Sequence, residues 1–542
     1  MWTNRNIKLG YFFFGALIHM VLYFMPFQFQ TNDDSRMMRL VEGKFSGNPG
    51  DYAVYLHPIL SEVIGSLYYL NSGILWYPLL WFLFFYLSYM GYVMAVMKKV
   101  SSRQMQLLVV VCFLAFAFHS LLFLQFTVVA GALGFSGFLL ILLYYQNQTV
   151  TRPELFFAYA LCIFSLFVRK ESFFLITIGF GLISFLEFGV KTTFKILWKG
   201  KGWILIIICL LAFVPFYENI QGYDEYIDFN NARSRVLDNP IWQIINPGSI
   251  WGKSAYFLEN WLFRDNPWVT VEQLKVLKRD LNTFYFDSSY IRKSYHMLYE
   301  TISHNKFLVG WSVLVGLTHI TMKGNERKKI LFCVVWLGFF ILLSPFLLLH
   351  PRVQALFLLM FLGLSIIFYK PKSYLPNFTK FALVGMFVLS SIIHGINIKN
   401  VVDQKKLSIN GLNRLVDQLP ENVIYFMDSE SLNLMQLNPK IVNEKEDQLF
   451  YLGWNSYHPA DDLLLKRLGY RSLHDIIEFY SIHSQGQKHP LIPSYLVFLN
   501  GGYAKKVISR NGDFELMYFE KLAGNNSTCE YQSYFLIETL DY

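Results

Sequence analysis

Charged residues are scarce in this chain of 542 residues: Asp, Glu, Lys and Arg make up 16% of it, against 54% for hydrophobic residues. A soluble globular domain has roughly a quarter of its residues charged, so the composition argues against a water-soluble protein. Many apolar runs approach or exceed the roughly 20 residues that a helix needs to cross a bilayer. The composition therefore predicts an α-helical polytopic membrane protein.

Cysteine is rare, and the signatures of soluble enzymes are missing. Four of the five cysteines lie inside apolar runs, which leaves no disulfide framework. The sequence has no Walker-type phosphate loop, no GxGxxG after a strand, no HExxH and no paired CxxC. The net charge of +9 arises mainly from Lys and Arg in short loops between apolar runs. That distribution indicates orientation in a membrane and gives no support for a nucleic-acid partner.

Eleven apolar runs predict membrane spans. A further apolar stretch, 52–71, is interrupted by polar residues and predicts a helix that lies along the membrane surface. The predicted spans lie near 8–28, 74–97, 105–122, 124–145, 154–168, 172–189, 202–217, 306–322, 328–349, 353–369 and 379–398.

The Lys and Arg residues of the short loops determine the predicted orientation. With a cytoplasmic N-terminus, every short inside loop is basic, as the positive-inside rule requires, and eleven spans place the C-terminus outside. Residues 1–400 then form a transmembrane domain with two long outside segments, the first loop (31–73) and the second loop (218–305). Short apolar runs and one helical pattern in residues 401–542 predict a small α/β extracytoplasmic domain, here called the C-terminal region. The expected location is the cell membrane.

Unusual charges fall at the outer rim of the predicted spans. Charges at or below the headgroup level are costly, and they normally find partners or line a polar cavity. One cavity with both carboxylates and cations would hold a phosphate through arginine and offer a base for proton transfer. The charges are Asp33 and Asp34 in the first loop, Arg169 and Lys170 in one tight turn, and His350 and Arg352 in another.

Each of these sets also has a structural interpretation. Asn32 or Asp33 would serve as the N-cap of the helix that follows. The basic residues of the 169–170 turn would snorkel from a helix end. The 350–352 turn would act as an interfacial anchor.

Two residues of the first loop are further candidates for substrate binding. His57 stands before Pro58, and Glu62 follows on the predicted surface helix. The alternative is that His57 marks a loop-to-helix boundary, as residues before proline often do. Glu62 would then belong to the polar face of the helix.

The layout resembles the GT-C superfamily of integral-membrane glycosyltransferases. In that family the first span leads into an outside loop that opens with acidic residues and continues through surface helices. The matching stretches are "TNDDSRMMRL" and "YLHPILSEVIGSLYYL". Arginines near the outer ends of later spans match in "VRKES" and "HPRVQAL". The first loop is also similar to that of a group of bacterial polysaccharide-locus membrane proteins, while the WWD motif of oligosaccharyltransferases is absent.

The resemblance implies an inverting hexosyltransferase that uses a polyprenyl-phosphate sugar. Its acceptor would be an extracytoplasmic glycan, a cell-wall polymer or a lipid. Asp34 is the first candidate for the base that deprotonates the acceptor hydroxyl, with Asp33 as its partner or as a cap. Arg169 and Arg352 would hold the phosphate, with Lys170 and His350 as neighbours. No cofactor is expected, although the adjacent carboxylates would alternatively share a divalent cation.

Three other functions compete with this one. A polysaccharide polymerase or ligase would act on the same lipid-linked glycans but move a whole oligosaccharide. A flippase or transporter would also gather charges around a lipid phosphate, but transporters commonly place functional charges near the midplane and show repeated halves. The third is a non-catalytic assembly partner whose C-terminal region is the working part.

Overall fold

Helices dominate the structure, because a chain that crosses a bilayer must satisfy its backbone hydrogen bonds within each spanning segment. The computed structural model describes residues 4–147, 150–245, 250–251, 254–255, 258, 263, 269–322, 324–370, 377–417, 425–427, 449–451, 457–467, 469, 471, 496–500, 514–521 and 531–539. The first half of the chain contains α1 (Asn4–Phe24), β1 (Gln28–Phe29), α2 (Asn32–Glu42), α3 (Pro58–Leu70), α4 (Trp76–Lys99), α5 (Arg103–Leu122), β2 (Phe123–Leu124), α6 (Phe126–Asn147), α7 (Arg152–Val168), α8 (Lys170–Phe188), α9 (Val190–Lys199), α10 (Lys201–Ile220), α11 (Asp224–Leu237) and α12 (Pro240–Ile244).

The second half continues with α13 (Val271–Asn282), a 3-10 turn (Thr283–Phe286), α14 (Ser288–His304), α15 (Lys306–Thr321), α16 (Glu326–Leu343), α17 (Pro351–Ile367) and α18 (Asn377–Asp417). The C-terminal region adds β3 (Tyr425–Met427), β4 (Leu449–Tyr451), α19 (Pro459–Arg467), β5 (Leu496–Asn500), β6 (Phe514–Lys521) and β7 (Tyr531–Thr539).

The protein is membrane-embedded and α-helical. In the part of the chain that the structure describes, seven helices are long and apolar enough to cross a membrane: α1, α4, α5, α6, α8, α10 and α18. The other predicted spans fall on α7, α15, α16 and α17, which are apolar helices of 16 to 18 residues. All eleven predicted spans thus coincide with helices, while the number that crosses the membrane stays a prediction.

Helix α6 is the centre of the bundle. It packs against α4, α7, α8 and α17, and 89% of its most apolar stretch is buried, whereas none of the corresponding stretch of α10 is. Glycine permits a close approach of α6 to α7, since a Cβ at Gly137 would lie 2.8 Å from the carbonyl oxygen of Ala158 on α7. Small residues are enriched at such helix contacts in membranes because they let backbones come together.

Loops that were predicted to share the cytoplasmic side meet at one end of the bundle. The carboxylate of Glu154, in the first turn of α7, lies 2.8 Å from Lys98 at the end of α4 and 3.5 Å from Lys8 near the N-terminus. At the same end of α8, Glu187 pairs with Lys328 at 3.2 Å. The loops that were predicted to lie outside connect these helices at the opposite end of the bundle.

The C-terminal region makes two kinds of structure. Its strands form a five-stranded sheet in the order β4-β3-β5-β7-β6, in which the β3–β4 and β3–β5 pairs are parallel and β5–β7 and β6–β7 are antiparallel. The helical pattern that the sequence predicts in this region is 461–480; α19 coincides with its first part, and residues 468, 470 and 472–480 lie outside the described residues. A complete α/β domain over 401–542 stays a prediction.

The segment 457–467 packs onto both long loops. The His458 ring is fully buried, its Nε2 lies 3.0 Å from the carbonyl oxygen of Tyr52 in the first loop, and it packs against Tyr226 of the second loop. The Tyr457 hydroxyl donates to the carbonyl oxygen of Phe263 at 3.1 Å. This part of the C-terminal region is therefore held against the same end of the bundle as the two long loops.

Candidate functional site

Two short strands bring the first loop to the start of α6. Strands β1 and β2 pair in parallel, with Gln28 beside Phe123, and the amide of Gln30 donates to the carbonyl oxygen of Leu124 at 3.0 Å. Because β1 follows α1 and β2 joins α5 to α6, this pairing ties the ends of three apolar helices together. The first turn of α2 is thereby placed next to Phe126, the first residue of α6.

Helix α2 carries both candidate aspartates in its first turn. The helix begins at Asn32, and its N-cap residue is Thr31, which has extended backbone angles and makes no side-chain cap bond. The alternative that Asn32 or Asp33 caps this helix is therefore wrong. Carboxylates at this position are instead stabilised by the positive end of the helix dipole.

Asp34 is the buried member of the pair. Its Oδ1 accepts hydrogen bonds from the Tyr77 hydroxyl at 3.1 Å and from the Phe126 amide at 3.2 Å, while Oδ2 is buried and has no hydrogen-bond partner among the described residues. Burial raises the pKa of the Asp34 carboxyl well above its usual range, and the charge of Asp33 raises it further, against the opposing effect of the two hydrogen bonds. These contacts fix the orientation of Asp34.

Asp33 is accessible and faces a cation. Its Oδ2 lies 3.8 Å from Nη1 of Arg352, in the first turn of α17, and the two side chains are 19% and 16% exposed. Asp33 and Arg352 are 319 positions apart in the sequence (352 − 33 = 319). The structure therefore brings together an acid of the first loop and a cation of a late helix.

Arg169 lies between two aromatic rings. It occupies the extended residue between α7 and α8, and its guanidinium carbon is 4.7 Å from the ring centre of Phe126 and 5.3 Å from that of Tyr55. Its Nε is 3.4 Å from a carboxylate oxygen of Glu171. Cation–π contacts of this kind hold a guanidinium in place while its edge stays available for other partners.

Tyr55 marks the point where these segments converge. Its pKa is raised chiefly by desolvation, and the charges of Asp33 and Arg169 act on it together with those of Arg233 and Asp238 from the second loop. We call Asp33, Asp34, Arg169, Arg352 and Asp238 the charge cluster.

Asp238 and Arg233 were not singled out by the sequence analysis. Asp238 is exposed, yet desolvation raises the pKa of its carboxyl, while Arg233 lowers it and Asp33 raises it. The stretch "NNARSRVLDNP" contains both residues, but in the sequence its charges resemble those of any solvent-exposed helix. Only the fold shows which face of this helix meets the first loop.

His350 lies beside the charge cluster as a neutral group. Burial lowers its pKa to about 4, and the neighbouring Arg352 contributes in the same direction. At neutral pH the imidazole is therefore uncharged, and it would contribute a hydrogen bond rather than a positive charge to a bound phosphate.

Lys170 differs from its neighbour Arg169. Its side chain is exposed at the start of α8, and it interacts electrostatically with Glu218 near the end of α10. Glu218 also accepts a hydrogen bond from the Tyr52 hydroxyl at 3.0 Å. Two adjacent cations of the sequence thus have different surroundings.

His57 joins three elements through its ring. Nδ1 accepts from the Ile59 amide at 3.3 Å and caps α3, Nε2 lies 3.0 Å from the carbonyl oxygen of Leu210 on α10, and the ring stacks on Phe167 at 4.5 Å. Both nitrogens have protein partners and the side chain is buried. These contacts favour the boundary interpretation over substrate binding.

His57→Ala should therefore act on stability. We expect a loss of about 2 kcal/mol, the combined value of a cap and a buried hydrogen bond, with an unchanged affinity for any substrate. Thermal unfolding in detergent measures the loss, and the exposed His296 of α14 provides a control, since the loss of its exposed contact with Glu300 should cost no more than about 0.5 kcal/mol. Weakened substrate binding at unchanged stability would return His57 to the site.

Glu62 lies at the edge of an apolar groove. It is exposed on α3 and accepts a hydrogen bond from the Tyr217 hydroxyl of α10 at 2.8 Å. The groove between α3 and α10 has a volume of about 400 Å³. Its walls are mainly apolar and are formed by Pro58, Ile59, Glu62, Val63, Ser66, Leu67, Phe213 and Tyr217.

The described part of the chain contains no group of three or more His, Cys, Asp or Glu side chains placed to hold a metal ion. At the paired aspartates, one oxygen of Asp34 accepts two hydrogen bonds and one oxygen of Asp33 faces Arg352.

Comparison of the chain with protein-family models, with curated proteins and with solved structures returns no match. The class of the protein is therefore described from the features of its own structure. It is a membrane-embedded helical protein with acids and guanidinium groups gathered at one end of the bundle.

Proposed function

We propose that the protein is a GT-C-type membrane glycosyltransferase, which moves a sugar from a polyprenyl-phosphate carrier to an extracytoplasmic glycan, a cell-wall polymer or a lipid. The observation that carries this proposal is the 3.8 Å approach of Asp33 to Arg352, with Arg169 held nearby against Tyr55. A base and phosphate-binding cations are the groups that this reaction needs side by side.

Asp33 is the better placed base of the two aspartates. A base must reach the proton that it removes, and Asp33 is accessible whereas Asp34 is fully buried. In the proposed step, Asp33 takes the proton of the acceptor hydroxyl as its oxygen bonds to the anomeric carbon. The bond from that carbon to the phosphate oxygen breaks with inversion, and the electron pair leaves with the polyprenyl phosphate. Asp34 orients the first turn of α2.

Arg169 and Arg352 would stabilise the departing phosphate. Negative charge grows on the phosphate as the glycosidic bond breaks, so fixed cations stabilise the transition state more than the ground state. The contacts of Arg169 with Tyr55 and Phe126 support this role, because a guanidinium that is already in place loses little entropy on binding.

The apolar groove beside α3 would suit part of the isoprenoid chain. It lies between a helix of the first loop and an apolar helix whose most hydrophobic stretch is unburied. In the proposed topology, the basic short loops place the N-terminus in the cytoplasm, and eleven spans then leave the C-terminal α/β domain, like the two long loops, outside the cell membrane. The meeting of Lys8, Lys98 and Glu154 at the opposite end supports this arrangement.

A donor panel tests the proposal. Purified protein is incubated with polyprenyl-phosphate monosaccharides and with a polyprenyl-diphosphate oligosaccharide, and the released lipid phosphate is measured with and without a glycan acceptor. We expect acceptor-dependent release from a monosaccharide donor. Release from the oligosaccharide donor alone would point to a polymerase or ligase, and movement of donor across vesicle membranes without cleavage would point to a flippase.

A further inference from the structure

The second loop contains a basic pocket that the proposed chemistry does not use. It lies between α11 and α13 and has a volume of about 330 Å³, which is in the range of small-molecule sites. Its lining combines cations with side-chain amides and one acid: Arg235, Lys275, Lys278 and Arg279 with Asn231, Asn282 and Asp228.

Two of the four cations, Arg235 and Lys275, are available for a ligand. The other two have partners: Lys278 donates to the Tyr285 hydroxyl at 3.2 Å, and Arg279 lies 3.9 Å from a carboxylate oxygen of the neighbouring Asp280. Arg235 and Lys275 are both exposed, and neither has a carboxylate within ion-pair distance among the residues that the structure describes. The pocket therefore presents positive charge that is not neutralised from within the described protein.

The lining also indicates the kind of anion. Amides such as those of Asn231 and Asn282, and a carboxylate such as that of Asp228, hydrogen-bond to the hydroxyl groups of sugars. The free cations would pair with acidic substituents. An anion with many hydroxyl groups fits this mixture better than a bare phosphate does.

The position of the pocket relates it to the charge cluster. Helix α11 carries Arg233, which acts on Tyr55, and Arg235 is two residues further along. Two residues turn an α-helix by about 200°, so the two arginines lie on opposite faces of α11. A glycan that reached from the pocket to the charge cluster would have to pass around this helix, which requires several sugar units and excludes a single sugar.

We infer that the pocket between α11 and α13 binds an acidic glycan whose charge is carried by carboxylate or phosphate groups. Within the proposed function, the pocket would hold part of the glycan acceptor, and that role rests on the proposed function. The binding of an acidic glycan does not depend on it.

The test measures binding without any donor. A fluorescent oligogalacturonate, its methyl-esterified form and a glycerol-phosphate oligomer are titrated into the full-length protein in an uncharged detergent. We expect the oligogalacturonate, the glycerol-phosphate oligomer or both to bind, and the uncharged ester to bind at least tenfold more weakly. The oligomer that binds identifies the charged group as carboxylate or phosphate, and its binding should weaken as the salt concentration rises.

Paired variants connect the binding to the pocket. Arg235→Ala with Lys275→Ala should weaken the charged oligomer about tenfold, as expected for the loss of two exposed ion pairs. The matched control is Arg292→Ala with Lys293→Ala on α14, which removes the same charge from exposed positions outside the pocket and should leave binding unchanged.

Several outcomes would overturn the inference. They are equal binding of the methyl ester, an unchanged dissociation constant in the Arg235/Lys275 variant, an equal loss in the control variant, and full competition by phosphatidylglycerol in the micelle. If the charged oligomer binds as expected but no donor is cleaved, the proposed transferase fails and the pocket stands. If transfer occurs while the pocket variant binds normally, only the pocket inference fails.

Discussion

Asp33→Asn should reduce sugar transfer by about 10² to 10⁴-fold while the protein still folds. The factor is the usual loss when a positioned general base is removed. The substitution keeps the size of the side chain but removes its ability to take a proton from the acceptor hydroxyl. Initial rates of lipid-phosphate release at saturating donor and acceptor measure the loss, and thermal unfolding in the same detergent checks the fold.

Asp34→Asn is the matched control for this prediction. The amide oxygen of asparagine can still accept from Tyr77 and Phe126, so we expect stability within about 1 kcal/mol of the original and transfer within about tenfold. If Asp34→Asn abolishes transfer and Asp33→Asn does not, Asp34 is the base, as the sequence first suggested.

Asp34 should also make the stability of the folded protein depend on pH. The pKa of Asp34 is raised in the folded protein, so the folded state keeps a proton that the unfolded state releases above the ordinary aspartate pKa of about 3.9. Its contribution to stability is therefore largest below that pH and falls as pH rises towards the folded pKa. Asp34→Asn should remove this decline, and denaturation between pH 4 and pH 8 would reveal it.

The sequence was sufficient to place the helices. Each predicted span falls on one, because a long apolar run has few alternatives to a helix in a bilayer. The sequence also predicted that Asp33 and Arg352 lie on the same side of the bundle, because alternating spans determine which loops share a side. In the structure the two side chains approach each other.

The details within the charge cluster depended on the fold. Which of two adjacent aspartates is buried follows from the β1–β2 pairing, and strands of two residues leave no readable pattern. The different surroundings of Arg169 and Lys170 follow from how α7 and α8 meet. Asp238 belongs to the cluster because the second loop folds against the first, where its charge acts on Tyr55. Sequence periodicity cannot predict that arrangement.

Arg352→Gln should lower kcat/KM for a polyprenyl-phosphate donor by about 10² to 10³-fold. Its guanidinium would meet the charge that grows on the leaving phosphate, and removing one such group from an enclosed site typically costs a factor of this size. Much of the loss should fall on kcat, because the cation is needed most in the transition state. Steady-state kinetics with varied donor at saturating acceptor separates kcat from KM.

Lys170→Gln is the comparison that makes this result specific. Lys170 carries the same charge and adjoins Arg169 in sequence, but it is exposed and interacts with Glu218. A cation outside the cluster contributes mainly to long-range attraction, so we expect less than a threefold change, and one that disappears at high salt. An equal loss in the two variants would show that the donor responds to the general positive charge of this surface, and the arginine clamp would have to be abandoned.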